Sequence, residues 1–369
     1  MGPKELMGSL DLAYDYGDRP AAEVVDTVIL HKGSYTDLDP QFLRAILSSF
    51  KVHFANEVFL LFSRGEPDTP VATEHLGTLS DIEGWLRTGG YRDGAMEALV
   101  LSDRPRMAAT YVGQGRVLLQ NAFGQLMLVA GEDTSIVPHL VRDGWFDLDL
   151  TRFLSRTLRV DDVFVDVGAN FGTYSLLAAA IVGSTGRVVA VEANQAIAEM
   201  LHENLVMNGF GGHSSVIREA AGETNGTKTL FQFSIRQGGS TMLPVVADLA
   251  HSDYAERITE KDVPCRTLDT MLSSMNIDRV DYIKVDVEGF ELNVLKGARD
   301  TLKSCRPRII MEWHPSFFER GSGRELYHIL TTDLDYDIRV VGPEGVTYAA
   351  DLSQLESLQH ADIFAVPRL

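Results

Sequence analysis

Cysteine is nearly absent from this sequence: of 369 residues only Cys265 and Cys305 carry a thiol. Two such residues provide neither a disulfide framework nor a zinc-ligand spacing, which suits a reducing, cytoplasmic setting. Also missing is any apolar run near the ~18 residues of a membrane helix, and the N-terminus lacks the basic-then-apolar plan of a signal peptide, so no membrane partner is expected. Basic charge is scarce. The 33 Lys and Arg residues stand against 52 Asp and Glu, a formal net charge of −19. A field of that sign repels phosphate backbones, and the basic residues are scattered, so nucleic acid is not expected as a partner.

What is present is the apolar content of an ordinary globular protein, in a length that predicts about two domains. Over residues 1–112 the pattern predicts strands at 24–30, 57–62 and 96–102. Helices alternate with them, one at 41–50 and one after a capping box of Ser80 and Glu83. This reads as a small α/β accessory module without a chemical motif, suited to packing, to assembly as a homo-oligomer or to selecting a substrate. Residues 113–369 form the second domain. It opens with a hairpin, 116–119 against 125–129 around Asn121-Ala122-Phe123-Gly124, followed by helices near 135–142 and 147–158.

The second domain is organised around VFVDVGANFG, residues 163–172. A buried strand from Val163 to Val167 breaks into a glycine turn, and a helix follows from Tyr174 to Val182. Gly168 lets the backbone turn sharply, Gly172 permits close approach, and the helix start presents free N–H groups, which together make a nucleotide-sized cradle. The turn lacks the middle glycine of G-x-G-x-x-G and the chain has no Tyr-x-x-x-Lys, both of which oppose a nicotinamide oxidoreductase. A second strand, 188–191, ends at Glu192, where a carboxylate can accept both hydroxyls of a ribose. A third, 215–217, runs into Ala220-Ala221-Gly222, small residues that suit Ala221 to contact with an adenine ring. Over 223–265 the alternation is interrupted by an antiparallel strand at 227–235, a mobile loop at Gly238-Gly239-Ser240-Thr241 and a charged lid reaching Asp262. It resumes with a helix capped at Thr267, a strand at 282–287, a helix at 290–303 and a strand at 308–313. Strands at 336–341 and 362–366 are expected to form an antiparallel edge.

Four blocks in order, VDVGANFGTYS (165–175), VAVEAN (189–194), RTLDTML (266–272) and IKVDVEGFELNVLKGA (283–298), resemble the FkbM family of S-adenosylmethionine (SAM)-dependent methyltransferases. The resemblance covers roughly residues 115–315. It implies an α/β fold with a Rossmann-like, doubly wound sheet, SAM as methyl donor, and O-methylation of a hydroxyl on a small molecule such as a sugar, a polyketide or another natural product. Carried over, Asp166, Gly168, Asn170 and Gly172 match the first motif, Glu192 the ribose acid, and Asp286, Glu288 and Gly289 the block after the fourth strand. The N-terminal module and the insertion after Gly238 have no place in that pattern and leave the acceptor open. A rival from another class is a non-catalytic SAM-binding or scaffolding protein.

Methyl transfer from a sulfonium is an in-line displacement, and an aliphatic hydroxyl attacks poorly unless its proton is taken. Asp286 and Glu288 follow the fourth strand, while Glu312 and His314 follow the fifth. In an extended chain a spacing of two puts each pair on one face, so all four are expected to converge on the methyl. Three readings stand. Glu288 or His314 is a general base beside Asp286. Alternatively Asp286, Glu288, Glu312 and His314 hold Mg²⁺ or Mn²⁺. In the third, Asp286 binds the donor's amino group, Glu288 caps the next helix and His314 merely turns the chain. The first is carried forward, with Lys284 expected in a buried ion pair.

Overall fold

The computed structural model describes residues 26–31, 40–55, 59–65, 67, 71, 76–79, 82, 109–244, 258–318 and 321–368. The chain divides into two compact units, residues 1–98 and 99–369. In the first, β1 (Thr27–His31), α1 (Pro40–Ser49), β2 (Lys51–Ala55) and β3 (Phe59–Ser63) are described. The strands form an antiparallel sheet with β3 central. Val28, Leu30, Leu60 and Phe62 pack with Leu43 and Ile46 of α1 into a separate core. β2 was not expected from the sequence, because four of its five side chains are exposed or half-buried and give no apolar alternation. The predicted capping box at Ser80 and Glu83 and the strand at 96–102 lie outside the described residues.

The second unit opens with a meander of β4 (Thr110–Gly113), β5 (Arg116–Gln120) and β6 (Leu126–Ala130). α2 (Val137–Arg142) and α3 (Leu148–Thr157) follow, the latter capped by Asp147, whose side chain accepts from the Leu150 N–H. Then come β7 (Val163–Val167), α4 (Thr173–Val182), β8 (Arg187–Val191), α5 (Gln195–Met207) and β9 (Ser214–Ile217). Asn204 on α5 and Asn208, which caps its C-terminus one turn on, each exchange two hydrogen bonds with the edge of β6. Side-chain amides thus continue the meander's hydrogen-bond ladder and fasten it to the helix.

β10 (Ala220–Ala221), β11 (Gly226–Phe233) and β12 (Ile258–Arg266) make a small sheet of their own with β12 central. The lid predicted to reach Asp262 is therefore corrected in its C-terminal part. Residues 258–265 pair along the whole of β11, and Thr229 donates to the Asp262 carboxylate. The expected mobile loop is also a built turn: Gln237–Gly239 is a 3₁₀ turn, and Thr241 exchanges two backbone hydrogen bonds with Phe231.

α6 (Leu268–Ser274), β13 (Tyr282–Val285), α7 (Glu291–Lys296), α8 (Arg299–Ser304) and β14 (Arg308–Trp313) complete the doubly wound part. The single helix expected over 290–303 is two. A β-carbon at Gly297 would collide with the Gly222 carbonyl, so the chain passes there with no side chain, and Asp269 caps the start of α8 through Asp300 and Thr301. α9 (Ser322–His328), β15 (Tyr336–Val341), β16 (Thr347–Ala349), α10 (Leu352–Ser357) and β17 (Ala361–Pro367) finish the chain. The large sheet runs β16-β15-β17-β14-β13-β7-β8-β9, with β14, β13, β7, β8 and β9 mutually parallel and β17, β15 and β16 forming the antiparallel edge. This is the α/β, Rossmann-like doubly wound class. From β7 the chain builds outward to β8 and β9, then returns to build β13 and β14 on the other side. The crevice between the carboxyl ends of β7 and β13 is thus the switch point at which such sheets bind ligands. Among the described residues, no helix is long and apolar enough to cross a membrane.

Candidate active site

The crevice at that switch point is a cleft of about 470 Å³. Gly168, Asn170 and Tyr174 of the first motif line it from one side, and Asp286, Glu288 and Glu312 from the other. A narrower recess lies toward β8 and β9, and Gly168, Asn170 and Asp286 line both spaces. Glu192, Glu219 and Ala221 lie in the recess wall.

Each residue of the glycine motif has a distinct place. Gly168 (φ +78°) turns the chain directly against the end of β13, and Asn170 stands in the left-handed region at φ +50°. The Asn170 side chain accepts from the Phe171 N–H, which offsets the cost of that conformation for a residue with a β-carbon. Gly172 does not line the cleft. A β-carbon there would come within 2.5 Å of Leu201 Cδ1, so this glycine serves helix packing rather than ligand approach. Asp166 is likewise behind the wall, fully buried, accepting from Ser175 Oγ at 2.6 Å and lying 3.8 Å from Lys284 Nζ. Burial pushes the Asp166 carboxyl up, against the pull of Lys284 and Ser175.

Lys284 is the hinge between motifs. It is buried, its Nζ donates to Asp286 at 3.0 Å, and it lies 5.0 Å above the Tyr174 ring. Burial alone would lower its pKa, but Asp286 and Asp166 outweigh that and raise it, so the ammonium stays charged. Glu192 follows β8 as expected. Its two oxygens accept from the Asn170 and Asn194 N–H groups at 2.9 and 2.7 Å, and burial pushes it up to about 7 despite those bonds.

Three acids converge. One oxygen each of Asp286, Glu288 and Glu312 lies within 4.8 Å of the others. Glu288 is raised well above the ordinary glutamate value, by burial first and then by Glu312, Asp286 and Glu291. Glu312 accepts from or ion-pairs with His360 Nε2 at 3.1 Å, and that hydrogen bond holds His360 up at about 9. Burial raises Glu312 itself, opposed by His360.

His314 is not among the converging groups. β14 ends at Trp313, so the two-residue periodicity that placed His314 beside Glu312 no longer applies. Its ring stacks on Phe317 at 3.8 Å and its Nδ1 bonds Ser316 Oγ, while Phe317, not His314, lines the cleft. Burial and the neighbouring His360 lower its pKa. Conversely, β13 ends at Val285, yet Glu288 still reaches the cleft, because the chain takes a left-handed turn at Glu288 and Gly289.

His360 and Asp362 lining the cleft were missed in the sequence. The signal lies in the register of the last strand: β17 runs antiparallel to β14 with Asp362 opposite Glu312. Burial, with Asp147 and Asp286 nearby, pushes Asp362 up to about 7.

The eight-stranded sheet thus carries β17 antiparallel beside β14, a glycine turn after β7 and acids following its parallel strands. Comparison with known proteins makes this specific. Residues 166–339 match the methyltransferase FkbM domain. The chain is 27% identical over 176 residues to hexuronic acid methyltransferase AglP of Haloferax volcanii, covering 47% of this chain and 65% of that one. It is 25% identical over 173 residues to methyltransferase sdnD of Sordaria araneosa, covering 41% and 66%. In both cases the chain spans slightly less than two thirds of the relative's length. Among solved structures it is similar to a methyltransferase FkbM from Methylobacillus flagellatus, with a TM-score of 0.36 and 18% identity over 55% of this chain and 43% of that one.

Proposed function

We propose that this chain transfers a methyl group from SAM to a hydroxyl of a small molecule. The observation that carries the reading is that Gly168, Asn170 and Asp286 line both the recess at Glu192 and the acid-lined cleft, at the switch point of the sheet. The residues fit the donor. Each Glu192 oxygen already accepts one backbone N–H, which fixes the carboxylate while leaving lone pairs for two ribose hydroxyls. Ala221 offers a wall without bulk for the base, and Asp286, steadied by Lys284, suits the donor's ammonium. Bound there, SAM supplies an electrophilic methyl on a positively charged sulfur.

The protein's own task is to orient the acceptor oxygen and receive its proton. Glu288 is the group for that: it lines the cleft, and once ionised its raised pKa makes it a stronger base than a free carboxylate. Glu312 with His360 fixes the opposite side of the cluster. As the acceptor oxygen bonds to the methyl carbon, the carbon–sulfur bond breaks with its electron pair on sulfur, and the hydroxyl proton passes to Glu288. Phe146, Phe233 and Phe317 supply apolar surface around the acceptor. The mutual spacing of Asp286, Glu288 and Glu312 favours a second reading, in which a hard divalent cation sits among them and lowers the acceptor's pKa.

The test is binding followed by transfer. Calorimetry with S-adenosylhomocysteine (SAH) and with NAD is expected to show binding of SAH alone, and labelled methyl from SAM is expected on a hydroxyl in a panel of sugars and polyketides. Preference for NAD overturns the reading. SAH binding without transfer to any acceptor favours a binding or scaffolding protein.

A further inference from the structure

Glu288 occupies a conformation that a residue with a side chain ordinarily avoids. Its φ is +53°, and Gly289 continues in the left-handed region at +96°. For glycine that conformation is ordinary, but Glu288 persists in it only where neighbours hold it. Glu291, at the start of α7, is one such neighbour. It is 1% exposed, and its Oε1 accepts from both the Val287 N–H at 3.1 Å and the Gly289 N–H at 3.2 Å. Its Oε2 has no hydrogen-bond partner among the described residues. Burial and Glu312 push the Glu291 carboxyl up to about 8, so near neutrality it carries a proton and acts through its accepting oxygen. From the other side, Thr241 Oγ1 donates to the Glu288 carbonyl at 2.8 Å and accepts from the Leu243 N–H, and Thr241 is itself 1% exposed. Gly289 cannot take a side chain, since a β-carbon would lie 2.8 Å from the Phe317 carbonyl.

We propose that Glu291 is a positioning residue: its carboxyl bridges the N–H groups on either side of Glu288 and, braced by Thr241 on the Glu288 carbonyl, aims the Glu288 carboxyl into the cluster with Asp286 and Glu312. The inference rests on the reading of Glu288 as the proton acceptor, but concerns how that side chain is held. Neither Glu291 nor Thr241 lines the cleft, and both act on the backbone of a residue that does. Burial first, then Glu312, Asp286 and Glu291 raise the Glu288 carboxyl and Arg236 opposes them, so a Glu288 released from the turn into water would titrate lower.

The experiment needs no acceptor and no donor. In the full-length protein labelled with ¹³C at glutamate carboxyls, the Glu288 signal is identified by its loss in Glu288→Gln and followed against pH. In the wild type it titrates above the ordinary glutamate range. Glu291→Met and Thr241→Val are each expected to move the midpoint down by about one unit or more, as the carboxyl leaves its desolvated place for water. Glu291→Gln retains an accepting oxygen and is expected to move it less than Glu291→Met does. Crystal structures of the same variants should show φ of Glu288 leaving the left-handed region in Glu291→Met but not in Glu291→Gln. An unchanged turn in Glu291→Met overturns the proposal whatever the midpoint does, since loss of the Glu291 charge by itself lowers that midpoint. If that variant does not fold, an unmoved midpoint in Thr241→Val overturns it. Failure of the base reading is separable: Glu288→Gln would keep its turnover even though Glu291→Met displaces Glu288.

Discussion

The β-carbon that Gly168 lacks would overlap the carbonyl oxygen of Asp286. The first and fourth motifs are therefore not two neighbouring sites but one contact, made because β7 and β13 are paired in parallel with Val167 opposite Val285. One step beyond that pair the two chains leave the sheet together, and Gly168, at φ +78°, passes against the backbone of Asp286.

Gly168→Ala combines a left-handed φ with a collision against backbone, neither of which rotamer adjustment relieves. The expected loss is about 2–4 kcal/mol of stability, together with displacement of Asp286. Urea unfolding followed by circular dichroism measures the first, and SAH calorimetry the second. Gly172→Ala should also destabilise, through Leu201, yet a folded Gly172→Ala should keep its SAH affinity because that glycine is off the cleft wall. A loss of affinity in folded Gly172→Ala would return it to the site.

Lys284→Met leaves Asp166 buried without its cation. Breaking one side of a buried pair costs about 3–5 kcal/mol. The pH dependence has a definite sign. The folded pKa of Lys284 is raised, so its contribution is complete below the free-lysine value and is lost as pH climbs through the folded one. The wild type should therefore lose stability on strong alkalinisation in a way that Lys284→Met does not. Parallel curves for the two proteins would show that the pair carries no net stability.

Glu192→Ala should weaken SAH binding by about 1–3 kcal/mol, the cost of losing charge-assisted hydrogen bonds to ribose hydroxyls. Because burial holds Glu192 at about 7 in the free protein and the ligand favours the carboxylate, affinity should rise with pH through that region. Without ligand the sign reverses: a raised folded pKa gives a stabilising contribution that is fully present below the free-glutamate value and fades as pH approaches and passes about 7. Isothermal titrations at several pH values check the first statement and thermal melts the second. A flat affinity profile removes Glu192 from the donor site.

Glu288→Gln should lower turnover by roughly 10²–10⁴-fold with SAH affinity nearly intact, whereas His314→Asn should change turnover little, since that ring is stacked outside the cleft lining. Chelation separates the cation reading. Activity abolished by a chelator and restored by Mg²⁺ or Mn²⁺ assigns the acids to a metal, and activity indifferent to chelation assigns them to proton transfer.

The glycine turn and the strands before it were legible because period, turn chemistry and helix start all agree there: Val163–Val167 and Arg308–Trp313 stand in the structure with the boundaries read from sequence. The antiparallel edge was legible too, from apolar runs at 336–341 and 362–366. What could not be read was decided by partners distant in sequence. β12 is polar on most of its length and is a strand only because β11 lies beside it. The break at Gly297 depends on Gly222, and His360 enters the cleft through the register of β17 on β14. His314 failed for a local reason: the extended chain that would have aimed it stops one residue earlier.

The cleft's excess of acids bears on turnover under the proposed reaction. The donor's sulfur arrives as a cation and departs as a neutral thioether, so Asp286, Glu288, Glu312 and Asp362, where ionised, attract the incoming molecule without gripping the spent one. Sulfur changes its charge at the moment of transfer, and the cleft thereby discriminates between the two by sign rather than by shape. Exchange of product for fresh donor is then favoured by the same side chains that line the reaction, and raising ionic strength should narrow the affinity gap between SAM and SAH.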